Sequence, residues 1–175
     1  SELRKLIEIY GNDVWFLKTD FRSYFPSVDR EILWREIERK IGCKKTLRLI
    51  SLFTPREGVG LGIGSLMSQL WANVYGHIFD KWLVKNNIKN WHRYMDDCII
   101  LLGGPNAQEE LFSLLEKMKE FSQISMKLSL SKWTINHHSK GINFLGYRIF
   151  EKFKLVRKTS VVKARRKQRK LLRIG

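Results

Sequence analysis

Tyr94-Met95-Asp96-Asp97 sets two adjacent acids between Arg93 and the apolar run Cys98-Ile99-Ile100-Leu101-Leu102. Side chains alternate faces along a strand, so a strand interior would send one of these carboxylates into the core. A tight hairpin turn avoids that cost and presents both at the edge of a sheet. Acids in that position are suited to holding cations; a solvated Asp-Asp turn is the competing reading of these four residues alone. A third acid, Asp20, ends the apolar run that starts at Val14. By itself Asp20 reads as a strand-end turn residue. With the strand end beside the hairpin, it meets Asp96 and Asp97 at one edge. Three carboxylates so placed can hold two magnesium ions about 3.5–4 Å apart, the spacing of two-metal phosphoryl-transfer sites. Magnesium takes oxygen ligands and shares them with substrate phosphates.

The elements that must position these acids follow from periodicity and breakers. Residues 1–12 read as the end of a helix stopped near Gly11-Asn12. Val14 to Asp20 reads as a buried strand. Pro26 breaks it, and Ser27 or Asp29 caps a helix that runs to about Ile41, with Ile32, Leu33, Ile37 and Ile41 on one face. The glycine-rich stretch Gly58 to Gly64 leads into a long helix from about Ser65 to Val84, carrying Trp71, Tyr75, Ile78, Phe79 and Trp82. The acidic hairpin spans 90–102. An amphipathic helix opens at Pro105-Asn106 and runs to about Phe121. Met126 to Ile135 alternates like a strand, and Ile142–Phe150 with Lys154–Val156 suggests a second hairpin. Residues 160–174 read as a basic helix carrying Lys163, Arg165, Arg166, Lys167, Arg169, Lys170 and Arg173. Strands and helices in this order give an α+β fold, a small antiparallel sheet backed by helices.

A chain of 175 residues fits one domain with a real core. Lys plus Arg number 33 against 17 for Asp plus Glu, a net charge of +16, which favours a polyanionic partner. No run approaches the roughly 18 apolar residues of a membrane span, and no signal peptide opens the chain. Cys43 and Cys98 make neither a disulfide framework nor a zinc spacing; they read as small core fillers in a reducing cytoplasm. His137-His138 reads as a polar turn rather than a ligand pair.

The chain resembles the palm of a reverse transcriptase over nearly its whole length. Lys18-Thr19-Asp20-Phe21-Arg22-Ser23-Tyr24-Phe25-Pro26-Ser27 resembles the family's first catalytic motif, an acid followed five residues later by an aromatic. Tyr94-Met95-Asp96-Asp97 resembles the second. The resemblance implies a polymerase palm of RRM- or ferredoxin-like architecture over residues 14–157, the end of a fingers region at 1–13, and the start of a helical thumb at 158–175. It implies that Asp20 and Asp96 bind metal directly, that Asp97 is the third acid, and that the backbone carbonyl of Phe21 also faces a metal. Phe25 matches the steric-gate position, where a ring under the sugar excludes a 2′-hydroxyl; a core aromatic is its other reading.

Many reverse transcriptases carry Pro-Gln-Gly where this chain has Gly62, Ile63 and Gly64. The stretch from Ile63 and Gly64 to Gln69 resembles the form found in diversity-generating retroelements, which implies a lost amide near the incoming nucleotide and low-fidelity copying. Leu128-Ser129-Leu130-Ser131-Lys132 resembles the segment whose lysine protonates the leaving pyrophosphate, although Lys132 also reads as an ordinary exposed strand lysine. Gly141 to Tyr147, with Leu145 and Gly146, resembles the hairpin that grips the primer, beside Tyr94 and Met95. Arg165, Arg166 and Arg169 of the basic helix would meet backbone phosphates. The implied cofactors are two Mg2+ ions, with Mn2+ as a substitute. The implied partners are an RNA template, a DNA or RNA primer, deoxynucleotides and a small basic accessory protein, with no membrane. Competing readings are a reverse transcriptase of a defence or abortive-infection system, a group II intron-like enzyme, and a non-catalytic nucleic-acid-binding palm.

Overall fold

The structure, a computed structural model, describes residues 2–171. Helix α1 (Glu2–Tyr10) precedes β1 (Val14–Phe21), the short α2 (Tyr24–Ser27), α3 (Arg30–Glu38), α4 (Lys44–Phe53) and the long α5 (Leu66–Lys85). The hairpin β2 (Trp91–Tyr94) and β3 (Asp97–Gly103) follows, then α6 (Ala107–Met126) and β4 (Leu130–His137). Three short strands, β5 (Ile142–Phe144), β6 (Tyr147–Ile149) and β7 (Lys154–Val156), lead to α7 (Lys158–Leu171).

Four strands form one antiparallel sheet in the order β2-β3-β1-β4. The sheet is covered on both faces, which explains why β1 reads as a nearly unbroken apolar run. On one face Leu17, Phe21, Cys98 and Ile100 join α3, α5 and α6 in the main core. On the other, Val14, Phe16, Ile99 and Leu101 form a smaller core with Leu3 and Leu6 of α1 and Ile142 of β5. The α+β architecture expected from the sequence is the one observed.

Several boundaries differ from the sequence reading. Helix α4 was not anticipated. Leu47 and Ile50 turn to the core one helical turn apart, while Leu49, Leu52 and Phe53 are exposed. Two indoles fasten its end: Trp34 Nε1 donates to the Thr54 carbonyl at 3.0 Å and Trp71 Nε1 to the Thr54 hydroxyl at 3.0 Å. Helix α3 stops at Glu38, and Ser27 belongs to α2. Helix α6 runs five residues past Phe121, because Ser122 and Met126 continue the buried stripe of Met118 at i+4 spacing. Met126, Leu128 and Leu130 mimic strand alternation, yet Lys127 is left-handed (φ 49°) and ends the helix, and β4 begins only at Leu130. Cys98 is buried as expected, whereas Cys43 is exposed at the N-cap of α4 and fills no core. His137 closes β4, and His138 is buried in a 3₁₀ turn. Among the described residues no helix is long and apolar enough to cross a membrane.

Asp29 is the cap of α3. Its Oδ1 accepts from Ile32 N at 3.0 Å, and its Oδ2 accepts from Lys127 Nζ at 2.6 Å, tying α3 to the end of α6. Burial pushes the Asp29 carboxyl up, but the hydrogen bonds from Lys127 and Ile32 outweigh it and hold the group below its ordinary value of 3.8. A depressed folded-state pKa adds stability above the unfolded value and loses it as pH falls through the folded one. Asp29→Ala is therefore expected to cost about 1–2 kcal/mol near neutral pH, from the lost cap. In urea titrations the gap between parent and variant should shrink below pH ~4, near the unfolded aspartate value; a gap that is constant with pH would overturn this account.

Candidate active site

The three acids lie at one end of the sheet, where β1 ends and β3 begins. In the β1/β3 register Asp20 lies opposite Asp97, and Asp96 occupies the two-residue turn Met95-Asp96 between the paired Tyr94 and Asp97. The backbone N–H of Phe21 donates to the Asp96 carbonyl at 3.2 Å, so the end of β1 is pinned to the turn itself. On its other side β1 carries a bulge against β4 between Thr19 and Phe21. A bulge re-aims a side chain and interrupts ladder pairing. Here the Asp20 carboxylate takes up the slack: Oδ1 accepts from the Lys132 backbone N–H at 3.0 Å and from the Ser131 hydroxyl. Asp97 forms an ion pair with Lys18 Nζ at 3.2 Å. Lys18 lies two residues before Asp20 and shares its face of the sheet.

Burial pushes the Asp96 carboxyl up from its ordinary value, and the negative charges of Asp97 and Asp20 push it further; backbone N–H groups offset part of this. Among the described residues, no three His, Cys, Asp or Glu side chains stand close enough to enclose a metal ion as they are arranged. Asp20 is turned onto Ser131 and Lys132, and Asp97 onto Lys18. The donor set nevertheless fits a hard cation: it is all oxygen, half-exposed, and mutually repulsive until a positive charge enters.

The remaining expected site residues fall into three groups. Phe25 is half-buried against the main core, its ring edge-on to Tyr24 at 6.0 Å. The glycine loop holds it in place. Leu61 N donates to the Phe25 carbonyl at 2.8 Å and Gly60 N to the Val28 carbonyl at 2.8 Å. Gly60 has φ +94°, and a Cβ there would sit 3.1 Å from the Pro26 carbonyl, so only glycine suits this approach. A cleft of about 600 Å³ joins Gln69 to Met95, with Leu66, Met67, Leu70 and Asn73 completing its wall. Ile63 and Gly64 are exposed on the preceding loop and do not line that cleft.

The second sheet carries Leu145 and Gly146 in its tip. Both are left-handed (φ 47° and 83°) and join the paired Phe144 and Tyr147, the pattern of a type I′ hairpin. Tyr94, Leu145 and Lys132 have exposed side chains, as have Arg165, Arg166 and Arg169 on α7. Arg173 lies outside the described residues. Sequence reasoning missed four residues around the acids: Lys18 and Ser131, which contact them, and Arg93 and Asp80, which pair with each other beside the Met95 carbonyl. Lys18 was findable from its two-residue spacing to Asp20. The other three depend on a bulge and on long-range packing that no local pattern announces.

The sequence model of the reverse transcriptase (RNA-dependent DNA polymerase) family matches residues 2–149. Protein YkfC of Escherichia coli (strain K12) is 26% identical across 79% of this chain, a match that covers 47% of that protein. Among solved structures, the chain resembles telomerase from Candida albicans in complex with a fragment of telomeric RNA, with a TM-score of 0.64 and 11% identity over 90% of this chain and 33% of that one. It also resembles apo telomerase from Candida tropicalis, with a TM-score of 0.67 and 10% identity over 89% of this chain and 35% of that one. The chain thus spans less than half the length of these relatives. At such identities the structural likeness speaks for the fold. The family match speaks for descent: this chain belongs to the reverse transcriptase (RNA-dependent DNA polymerase) family.

Proposed function

We propose that this chain is the catalytic palm of an RNA-directed DNA polymerase, which adds deoxynucleotides to a primer 3′-hydroxyl on an RNA template. The observation that carries this reading is the register that sets Asp20 opposite Asp97, with Asp96 in the adjoining turn. Two Mg2+ ions, or Mn2+ in their place, would supply a lowered pKa for the attacking hydroxyl and charge neutralisation at the leaving pyrophosphate. Asp20 and Asp96 would hold them with the Phe21 carbonyl, and Asp97, steadied by Lys18, would be the supporting acid. Phe25 would lie under the sugar and disfavour ribonucleotides. Gln69 would face the incoming nucleotide, and Met95, across the same cleft, would bear on the primer. Tyr94, Leu145 and Gly146 would bear on the primer, Lys132 would protonate pyrophosphate, and Arg165, Arg166 and Arg169 would take backbone phosphates from the thumb.

The finer reading is a low-fidelity enzyme of the diversity-generating retroelement type, working with a small basic accessory protein. The support for it is Ile63-Gly64 in place of Gln-Gly, with Gln69 six residues after Ile63 on the first turn of α5. Primer extension on an RNA template, with each deoxynucleotide in turn, tests both levels. Extension in Mg2+ that stops with excess chelator is the expected result, and misincorporation opposite template adenines supports the subtype. Tight RNA–DNA binding with no extension would instead favour a non-catalytic binding palm, a reading encouraged by the exposed basic face of α7.

A further inference from the structure

We propose that Arg93 is a positioning residue for Asp96, aimed by Asp80 of α5 and given its room by Gly76. The inference rests on the polymerase reading above and adds residues to it. Arg93 sits on β2, two residues before the turn, and its side chain is 6% exposed. Its Nε donates to Asp80 Oδ1 at 2.6 Å and its Nη2 to Asp80 Oδ2 at 2.7 Å, a two-pronged pair that fixes the plane of the guanidinium. The remaining nitrogen, Nη1, donates to the carbonyl of Met95 at 2.9 Å.

That carbonyl belongs to the peptide bond whose nitrogen is Asp96's own. The peptide on the other side of Asp96 is held by Phe21 N. Both peptide planes flanking this acid are therefore anchored, one from β1 and one from the helix layer through Arg93. Met95 needs such an anchor: it is a non-glycine residue with φ +54°, a conformation that persists only where its surroundings impose it.

Space for the clamp is built into α5. A Cβ at Gly76 would lie 2.4 Å from Arg93 Nη1 and 2.7 Å from the Tyr24 hydroxyl, which itself donates to the Ala72 carbonyl at 2.7 Å. A buried ion pair is a poor device for stability alone, since well-packed apolar residues commonly do as well. Its distinctive property here is the third hydrogen bond, which an apolar pair cannot make.

This difference supplies the test. The double variant Arg93→Met/Asp80→Leu should keep its melting temperature and its affinity for an RNA–DNA hybrid. Its kcat for primer extension should fall about 10–100-fold, and Mn2+ binding, followed by water-proton relaxation, should weaken by a similar factor, as when an outer partner of a metal ligand is removed. Arg93→Lys keeps the charge beside Asp80 but loses the planar fork, so it should show the same losses and serves if the double variant does not fold. Folded variants with parental kcat and parental Mn2+ affinity would overturn the proposal. If the parent binds Mn2+ but extends no primer, the polymerase reading fails while the Mn2+ comparison still decides the role of Arg93. A parent that takes up no Mn2+ overturns both.

Discussion

Asp96→Asn is expected to remove primer extension, by about 10³-fold or more, while making the metal-free protein more stable. The two halves of this result come from one cause. Asp96 is half-buried beside Asp20 and Asp97, and burial together with their charges holds its carboxyl above the ordinary range. A group whose charged form is disfavoured by the fold weakens the fold wherever it is ionised. That penalty is present above the folded-state pKa and disappears as pH falls below the unfolded value. Asparagine keeps the size of the side chain and removes the charge. In chelator at neutral pH the variant should therefore melt at a higher temperature than the parent. On the proposed polymerase reading catalysis moves the other way, because a preorganised charge at a metal site is worth several kcal/mol of transition-state stabilisation. A loss of 10³ in rate corresponds to about 4 kcal/mol. Thermal melts in chelator and single-nucleotide extension in Mg2+ check the two signs separately. A variant that melts lower than the parent would mean that Asp96 contributes to packing and is not held against its own repulsion.

The second large effect lies under the site. Phe79 of α5 is fully buried where three elements converge. Its ring meets Phe21 of β1 edge-on at 5.3 Å, stacks on Trp82 at 6.0 Å and lies against Phe121 of α6 at 6.4 Å. Phe79→Ala should cost about 3–5 kcal/mol, the usual penalty for emptying such a position. Against a typical total of roughly 5–15 kcal/mol, that is enough to leave the protein barely folded at 37 °C. Phe79→Leu leaves a smaller void and should lose less. Urea denaturation at 25 °C gives both numbers; a loss under ~1 kcal/mol for alanine would show that the helices collapse into the space, contrary to close packing. Phe21 leans on this ring and is the residue after Asp20, so the alanine variant should also loosen the acid end of β1.

The central juxtaposition was legible in the sequence because it needs only local facts. Asp20 ends one apolar run, Asp96 and Asp97 begin another, and antiparallel neighbours bring such ends together. The long helix with Trp71, Tyr75 and Phe79 was equally open to periodicity, and its observed bounds lie one residue from those expected. What escaped was set by register and by distant partners. Ser131 reaches Asp20 only because of the bulge at the β1/β4 pairing. Arg93 and Asp80 read as two ordinary charges thirteen residues apart until α5 and β2 are packed together. Helix α4 was readable from Leu47, Ile50 and Phe53 at helical spacing but was passed over between the flanking motifs, and α6 was cut short because its last buried residues alternate as a strand would. Cys43 was assigned to a core by residue type, and type alone does not decide burial at a helix cap.

Strand β1 is paired along its length on both sides, to β3 and to β4, and is covered on both faces. A one-residue insertion between Val14 and Asp20 would turn every residue on one side of it to the opposite face, so that Asp20 and the apolar residues before it could no longer both keep their places. The same change in the segments at 39–43 or 151–153 moves no paired residue. Length in this lineage is therefore expected to vary in those connections and to stay constant in β1, even as the residues within it change. For this strand spacing is heritable in a way that side-chain identity is not.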